Sequence, residues 1–188
     1  MHSNLLALTK IIARVIRPFL DLPFAFFGHS MGAAIAFELS RELRRSDSLQ
    51  PVHLFPSGHS APHCPREKEP TYNLPEQELI EKVREMNGTP KEVLDHPELM
   101  QMMMPLLRAD FELIETYAYL PEAALSCPFT VFGGLQDQEV PRQRLEEWRE
   151  HTTATFSLRM LPGDHFFVHT AKPLINRVLA NELYGYIK

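Results

Sequence analysis

Gly28-His29-Ser30-Met31-Gly32 sets a serine between two glycines, where an apolar run ends and a helical pattern begins. A serine hydroxyl attacks carbonyls only when a base takes its proton, and the base needs an acid to orient it. Both are offered downstream. "PGDHFF" supplies His165 with Asp164 beside it, and "GGLQDQEV" supplies Asp137. Asp137 is the better orienter, because Asp164 adjoins the base in sequence and its side chain tends to point elsewhere. A tight turn from strand to helix forces its central residue into strained backbone geometry and crowds the neighbours, which calls for glycine two residues either side. The N–H of Met31, at the helix start, points where an oxyanion would form. The chemistry these residues could do is acyl transfer through a serine.

Those residues need a scaffold of strands that end at one edge. Phe24 to Phe27 reads as a buried strand, followed by a helix over 31–45 with Ala33, Ala34, Ala36 and Phe37 near its start. "PVHLFPS" (51–57), "PFTVFGG" (128–134) and "TFSLRMLPG" (155–163) read as three more strands, with helices from Pro141 and over 173–187. Strands alternating with helices imply a parallel sheet covered on both faces. Residues 75–120 break the alternation and read as a helical insertion, with a stop at Asn87-Gly88 and a break near Pro105. Before the first strand, Leu5, Leu8, Ile12, Val15, Ile16 and Phe19 recur at helical steps and predict an amphipathic helix facing the core. The fold class is α/β, and the G-x-S-x-G elbow between strand and helix, with the order Ser, Asp, His, is that of the α/β-hydrolases. A single domain over 1–188 is expected.

Composition narrows the partners. Of 188 residues, 44% are hydrophobic and 23% charged, and the net charge of −5 carries no basic excess for nucleic acid. No stretch approaches the roughly 18 uninterrupted apolar residues of a membrane span. Two cysteines cannot build a disulfide framework, so a cytoplasmic location is expected. His59, His63 and Cys64 sit in a proline-broken loop without a partner motif, so no metal is expected there.

On "PFAFFGHSMGAAIAFELSREL", "LFPSGHSAP", "LRADFELIETYAY", "CPFTVFGGLQDQEVP" and "LPGDHFFV", the chain resembles the stand-alone (type II) thioesterases of nonribosomal peptide and polyketide synthesis. The resemblance runs from about residue 5 to the C-terminus. It implies hydrolysis of acyl thioesters on the phosphopantetheine arm of an acyl or peptidyl carrier protein, without a cofactor. It implies Ser30 as nucleophile, His165 as base and acid, and Asp137 as orienter, with Met31 in the oxyanion hole. The insertion would be a lid over the acyl group, with Met100, Met103 and Met104 as adaptable contacts; packing between lid helices is the other reading of those methionines. Only 22 residues precede the Phe24 strand, so the family's opening strands, with their second oxyanion donor, are expected to be absent. That would leave the first strand as an apolar edge and weaken turnover. A chain that only binds carrier protein, and a general carboxylesterase, are the alternatives.

Overall fold

The computed structural model describes residues 4–86 and 88–186. Four strands, β1 (Ala25–His29), β2 (His53–Ser57), β3 (Phe129–Gly134) and β4 (Phe156–Leu161), form one parallel sheet in the order β1-β2-β3-β4. Two compact units are present: Leu6–Cys64 with Tyr119–Lys188, which carries the sheet, and Pro65–Ala118 with the segment ending at Leu5.

In the sheet unit, β2 and β3 are buried at every position, as strands covered on both faces must be. Alternation sends successive side chains to opposite faces. Leu54 and Val131 pack with Phe37, Phe129, Leu145 and Trp148 in one cluster, while Phe55 and Phe132 join Leu161, Phe167 and Ile175 in another. Burial of each such side chain stabilises the fold by roughly 1.5–3 kcal/mol. Among the described residues β1 pairs only with β2 and is half-buried, with Phe27 39% exposed, so it is the apolar edge expected for it and not a fully buried strand.

Helix α1 (Leu5–Ile16) precedes β1, and α2 (Met31–Asp47) crosses from β1 to β2. α1 buries Thr9 and Ala13, while Val15 and Phe19, expected to face the core, are exposed. On α2 the guanidinium of Arg41 is buried and paired with Glu38 and Glu122. Arg44 also reaches Glu122 and the carbonyls of Ala123 and Ala124, which secures the chain entering β3.

Residues 75–120 hold helices that break the strand–helix alternation, within the compact unit that includes Pro65–Ala118. These are α3 (Glu76–Glu85), α4 (Lys91–Leu94) and α5 (Pro97–Glu115). The stop expected at Asn87-Gly88 falls partly on Asn87, outside the described residues. α5 runs through Pro105 without the expected break. Proline there removes its own N–H and crowds the carbonyl four residues back, and the helix is held through it by packing along its buried side. Met100 and Met104 are buried with Leu79, Val83 and Leu94 in this unit's own core, Met103 is half-buried, and Met102 is exposed. Glu115 accepts the N–H groups of Thr71 and Tyr72 and pairs with Arg66, tying the proline-rich loop to α5.

After β3, Pro141 opens α6 (Arg142–Glu146), which tightens into the turn Glu147–His151. After β4 come α7 (Phe167–Thr170) and α8 (Lys172–Leu183). No helix among the described residues is long and apolar enough to cross a membrane.

Candidate active site

Ser30 stands between the last residue of β1 and the first of α2, at φ 53° and ψ −123°, a strained conformation for a residue with a side chain. The backbone makes this corner possible. A Cβ on Gly28 would lie 2.0 Å from the carbonyl oxygen of Gly32 and 2.7 Å from the amide of Ala33. Gly28 therefore admits the first turn of α2 against β1. A Cβ on Gly32 would meet nothing within 4 Å, so the expected need for glycine on both sides holds on one side only. The corner is pinned by the Ser30 N–H, which donates to the carbonyl of Ser57 at the end of β2 (2.8 Å).

The loops after β3 and β4 are laced together. The Leu135 N–H donates to the carbonyl of Leu161, the Gln136 N–H to that of Gly163, and the Gly163 N–H to the Gln136 side chain. Gly134 allows this approach, since a Cβ there would sit 2.4 Å from the Asp164 carbonyl oxygen. The lacing brings Asp137 and His165 into contact: His165 Nδ1 lies 2.9 Å from Asp137 Oδ2, and its Nε2 lies 3.1 Å from Ser30 Oγ. The structure thus unites three residues from three strand ends. Asp164 instead accepts the N–H of Phe166 and takes no part.

The Asp137 side chain is fully buried. Burial alone would raise its carboxyl, but the hydrogen bond to His165 and that ring's charge, with the N–H groups of Glu139 and Val140, hold it below the usual carboxylate range. An ionised carboxylate is only an acceptor, so the shared proton sits on Nδ1 and the Nε2 lone pair faces the serine hydroxyl. That tautomer can take the proton of Ser30 and hand it on. Met31 is the first residue of α2, so its N–H has no acceptor within the helix.

Two neighbours carry weight that sequence reasoning did not assign them. His29 donates to or accepts from the Ser57 hydroxyl through Nδ1 (2.9 Å), and its ring centre is 5.3 Å from that of His165. Burial, and then the nearness of His165, push the His29 pKa down to about 4, so this ring is neutral beside the base. Ser57 thus holds Ser30 with its carbonyl and His29 with its hydroxyl. The serine in "LFPSGHS" was the only signal available.

Residues 1–180 match the thioesterase domain family. The chain is 46% identical over 170 residues to gramicidin S biosynthesis protein GrsT of Aneurinibacillus migulanus, covering 90% of this chain and 66% of that one. It is 41% identical to a protein named linear gramicidin dehydrogenase LgrE of Brevibacillus parabrevis, over 99% of this chain and 72% of that one. The solved thioesterase RedJ from the prodiginine biosynthetic pathway of Streptomyces coelicolor superposes with a TM-score of 0.89 at 32% identity, covering 96% of this chain and 72% of that one. The chain spans about two thirds to three quarters of these relatives' lengths. With a serine at a strained strand–helix corner and a family match along nearly its whole length, the chain belongs to the thioesterase family of α/β-hydrolases, and it is similar to solved type II thioesterases of peptide and polyketide synthesis.

Proposed function

We propose that this chain hydrolyses acyl thioesters carried on the phosphopantetheine arm of a carrier protein, using Ser30, His165 and Asp137. The observation that supports it is the unbroken hydrogen-bonded line from Asp137 through His165 to Ser30. Ser30 Oγ attacks the thioester carbonyl as its proton passes to His165 Nε2. The C–S bond then breaks, and the departing thiolate takes that proton. Water, deprotonated by the same nitrogen, opens the acyl-enzyme, releasing the acid and restoring Ser30. The Met31 N–H is the oxyanion donor this chain supplies, and one such donor is worth roughly 10²–10³ in rate. Asp137 keeps the imidazole in the useful tautomer and stabilises it when charged. The steps are complete with these side chains, a substrate and water.

The pathways named for the relatives favour a carrier-protein partner and a role in biosynthetic editing or release. Of Met100, Met103 and Met104, the half-buried Met103 is the one left least committed to packing and the first to test for acyl preference. A cytoplasmic location suits the free thiols Cys64 and Cys127.

The test is thiol release from acyl-phosphopantetheinyl carrier protein. Turnover is expected to fall by about 10³ or more in Ser30→Ala with the unfolding midpoint unchanged. Equal rates for parent and Ser30→Ala would refute the assignment.

A further inference from the structure

His63, Glu147 and Glu150 meet at a point the proposed hydrolysis does not use. His63 lies in the loop after β2, and both glutamates lie in the turn Glu147–His151, where a spacing of three puts them on one side. His63 Nε2 is 3.7 Å from a carboxylate oxygen of Glu147 and 3.6 Å from one of Glu150. One ligand atom from each of the three residues falls within 4.8 Å of the others. The remaining ring nitrogen, His63 Nδ1, is 2.8 Å from Nε2 of His151. His151 is itself 5% exposed and wedged edge-on against Phe37, Tyr119 and Trp148. The backing is rigid too. Trp148 Nε1 donates to the carbonyl of His59, and the Ala61 N–H donates to that of Arg144, so loop and turn are held together from behind.

The outer sides of Glu147 and Glu150 face solvent, and what the cluster offers is three ligand atoms turned toward one point. The contact between the two rings uses one proton. If His63 Nδ1 carries it, the Nε2 lone pair faces the two carboxylates as a third ligand atom. If His151 carries it, the N–H on His63 Nε2 faces oxygens 3.6 and 3.7 Å away, beyond hydrogen-bond range. A cation among the three atoms would be ligated by all of them. Two ligands each about 2.0–2.1 Å from Zn²⁺ stand about 3.3 Å apart at a tetrahedral angle and about 3.6 Å at a trigonal one. The two separations from His63 match the wider of these spans, and the two carboxylates lie within 4.8 Å of each other. A ligating histidine whose second nitrogen is bonded to a fixed partner is also the arrangement that orients imidazole toward a metal.

We propose that His63, Glu147 and Glu150 bind a divalent cation of borderline softness, Zn²⁺, with water completing the coordination. One imidazole and two carboxylates suit zinc better than the all-oxygen shells of Mg²⁺ and Ca²⁺. The ion staples the loop that follows Ser57 to the turn 147–151, and its role is to stabilise the fold.

The experiment takes the tag-free chain, stripped by chelator, and titrates ZnCl₂ by calorimetry and thermal unfolding at one pH. One Zn²⁺ per chain and a raised unfolding midpoint are expected, because binding to the folded state alone stabilises it. The double variant Glu147→Gln/Glu150→Gln keeps side-chain size and is expected to bind zinc at least about tenfold more weakly and to lose the midpoint shift. His63→Ala should do the same; if it does not fold, the double glutamine variant decides. MgCl₂ at equal concentration should give no shift. His165→Ala should bind zinc as the parent does. No saturable binding, equal binding by the double variant, or loss of binding only in His165→Ala would each overturn the proposal.

Discussion

Asp137→Asn separates orientation of the base from everything else Asp137 does. The carboxylate has two jobs on two oxygens: Oδ1 accepts the N–H groups of Glu139 (2.8 Å) and Val140 (3.1 Å), and Oδ2 faces His165 Nδ1 (2.9 Å). An asparagine has one oxygen and one NH₂, and the two backbone donors decide which goes where. The amide oxygen must stay at the Oδ1 position, since NH₂ there would face two N–H groups. The NH₂ is therefore presented to His165, which can answer only with an unprotonated Nδ1. The ring proton moves to Nε2, and the base now offers a donor to Ser30 Oγ where it needs a lone pair. Loss of the working tautomer costs about 10³–10⁴ in kcat by the logic of the serine triad, or about 4–5.5 kcal/mol in the barrier. Stability should change little, because the loop keeps both backbone hydrogen bonds. Asp137→Ala inverts the pattern: it frees the tautomer but strands the Glu139 and Val140 donors, so it should lose more stability and no more activity than the asparagine. Thiol release from an acyl carrier protein and urea unfolding measure the two quantities. An asparagine variant within about tenfold of the parent in kcat would refute the reasoning.

Gly28→Ala would drive a Cβ into the backbone of Gly32 and Ala33, so it should lose about 1–3 kcal/mol and displace Ser30, whereas Gly32→Ala meets open space and should be tolerated. Unfolding midpoints and the rate of fluorophosphonate labelling of Ser30 check both, and equal labelling of the two variants would sink the account of the corner. Stability should fall as pH drops from about 6.5 toward 4, because His29 has its pKa near 4 when folded and 6.5 when free, so the unfolded chain binds the extra proton across that window. His165, Asp137 and His169 are the charged or titratable groups acting on His29. The full shift would amount to ~3 kcal/mol, and partial solvent access reduces this to about 1–2 kcal/mol. Urea unfolding of the parent and of His29→Asn between pH 7 and 4 checks it, and an equal slope in both would assign the loss to other groups.

What could be read in advance was whatever local pattern determines. "PFAFFGHSMG" announced a strand, a corner and a helix, because the apolar run, the paired glycines and the helical spacing lie within a few residues of one another. Asp137 and His165 were legible because each follows an apolar strand by a short loop, and strand ends in a parallel sheet share one edge. The limits were those of local reasoning applied to packing. Val15 and Phe19 fit a helical stripe but are exposed, since periodicity shows that a helix has a face without showing which neighbour covers it. Pro105 reads as a break, yet α5 continues through it. Met100 and Met104 read equally as acyl contacts or as packing, and their burial with Leu79 and Val83 is a matter of tertiary neighbours.

Sequence alone therefore determined the α/β class, the four strands, the elbow at Ser30 and the two residues able to serve it. Each of these follows from propensities and spacings that act over one element or one turn. The choice of Asp137 over Asp164 was also legible, since Asp164 adjoins His165 in sequence. The distances were set by tertiary structure, where lacing between the loops after β3 and β4 fixes where each carboxylate points. Tertiary structure decided that His29 is neutral, because burial and a second imidazole act on it through space. It also brought His63 to Glu147, Glu150 and His151 across some 88 residues of chain. No local pattern encodes that meeting. It rests on the hydrogen bonds from Trp148 Nε1 to the His59 carbonyl and from the Ala61 N–H to the Arg144 carbonyl, which join the loop after β2 to the segment after β3.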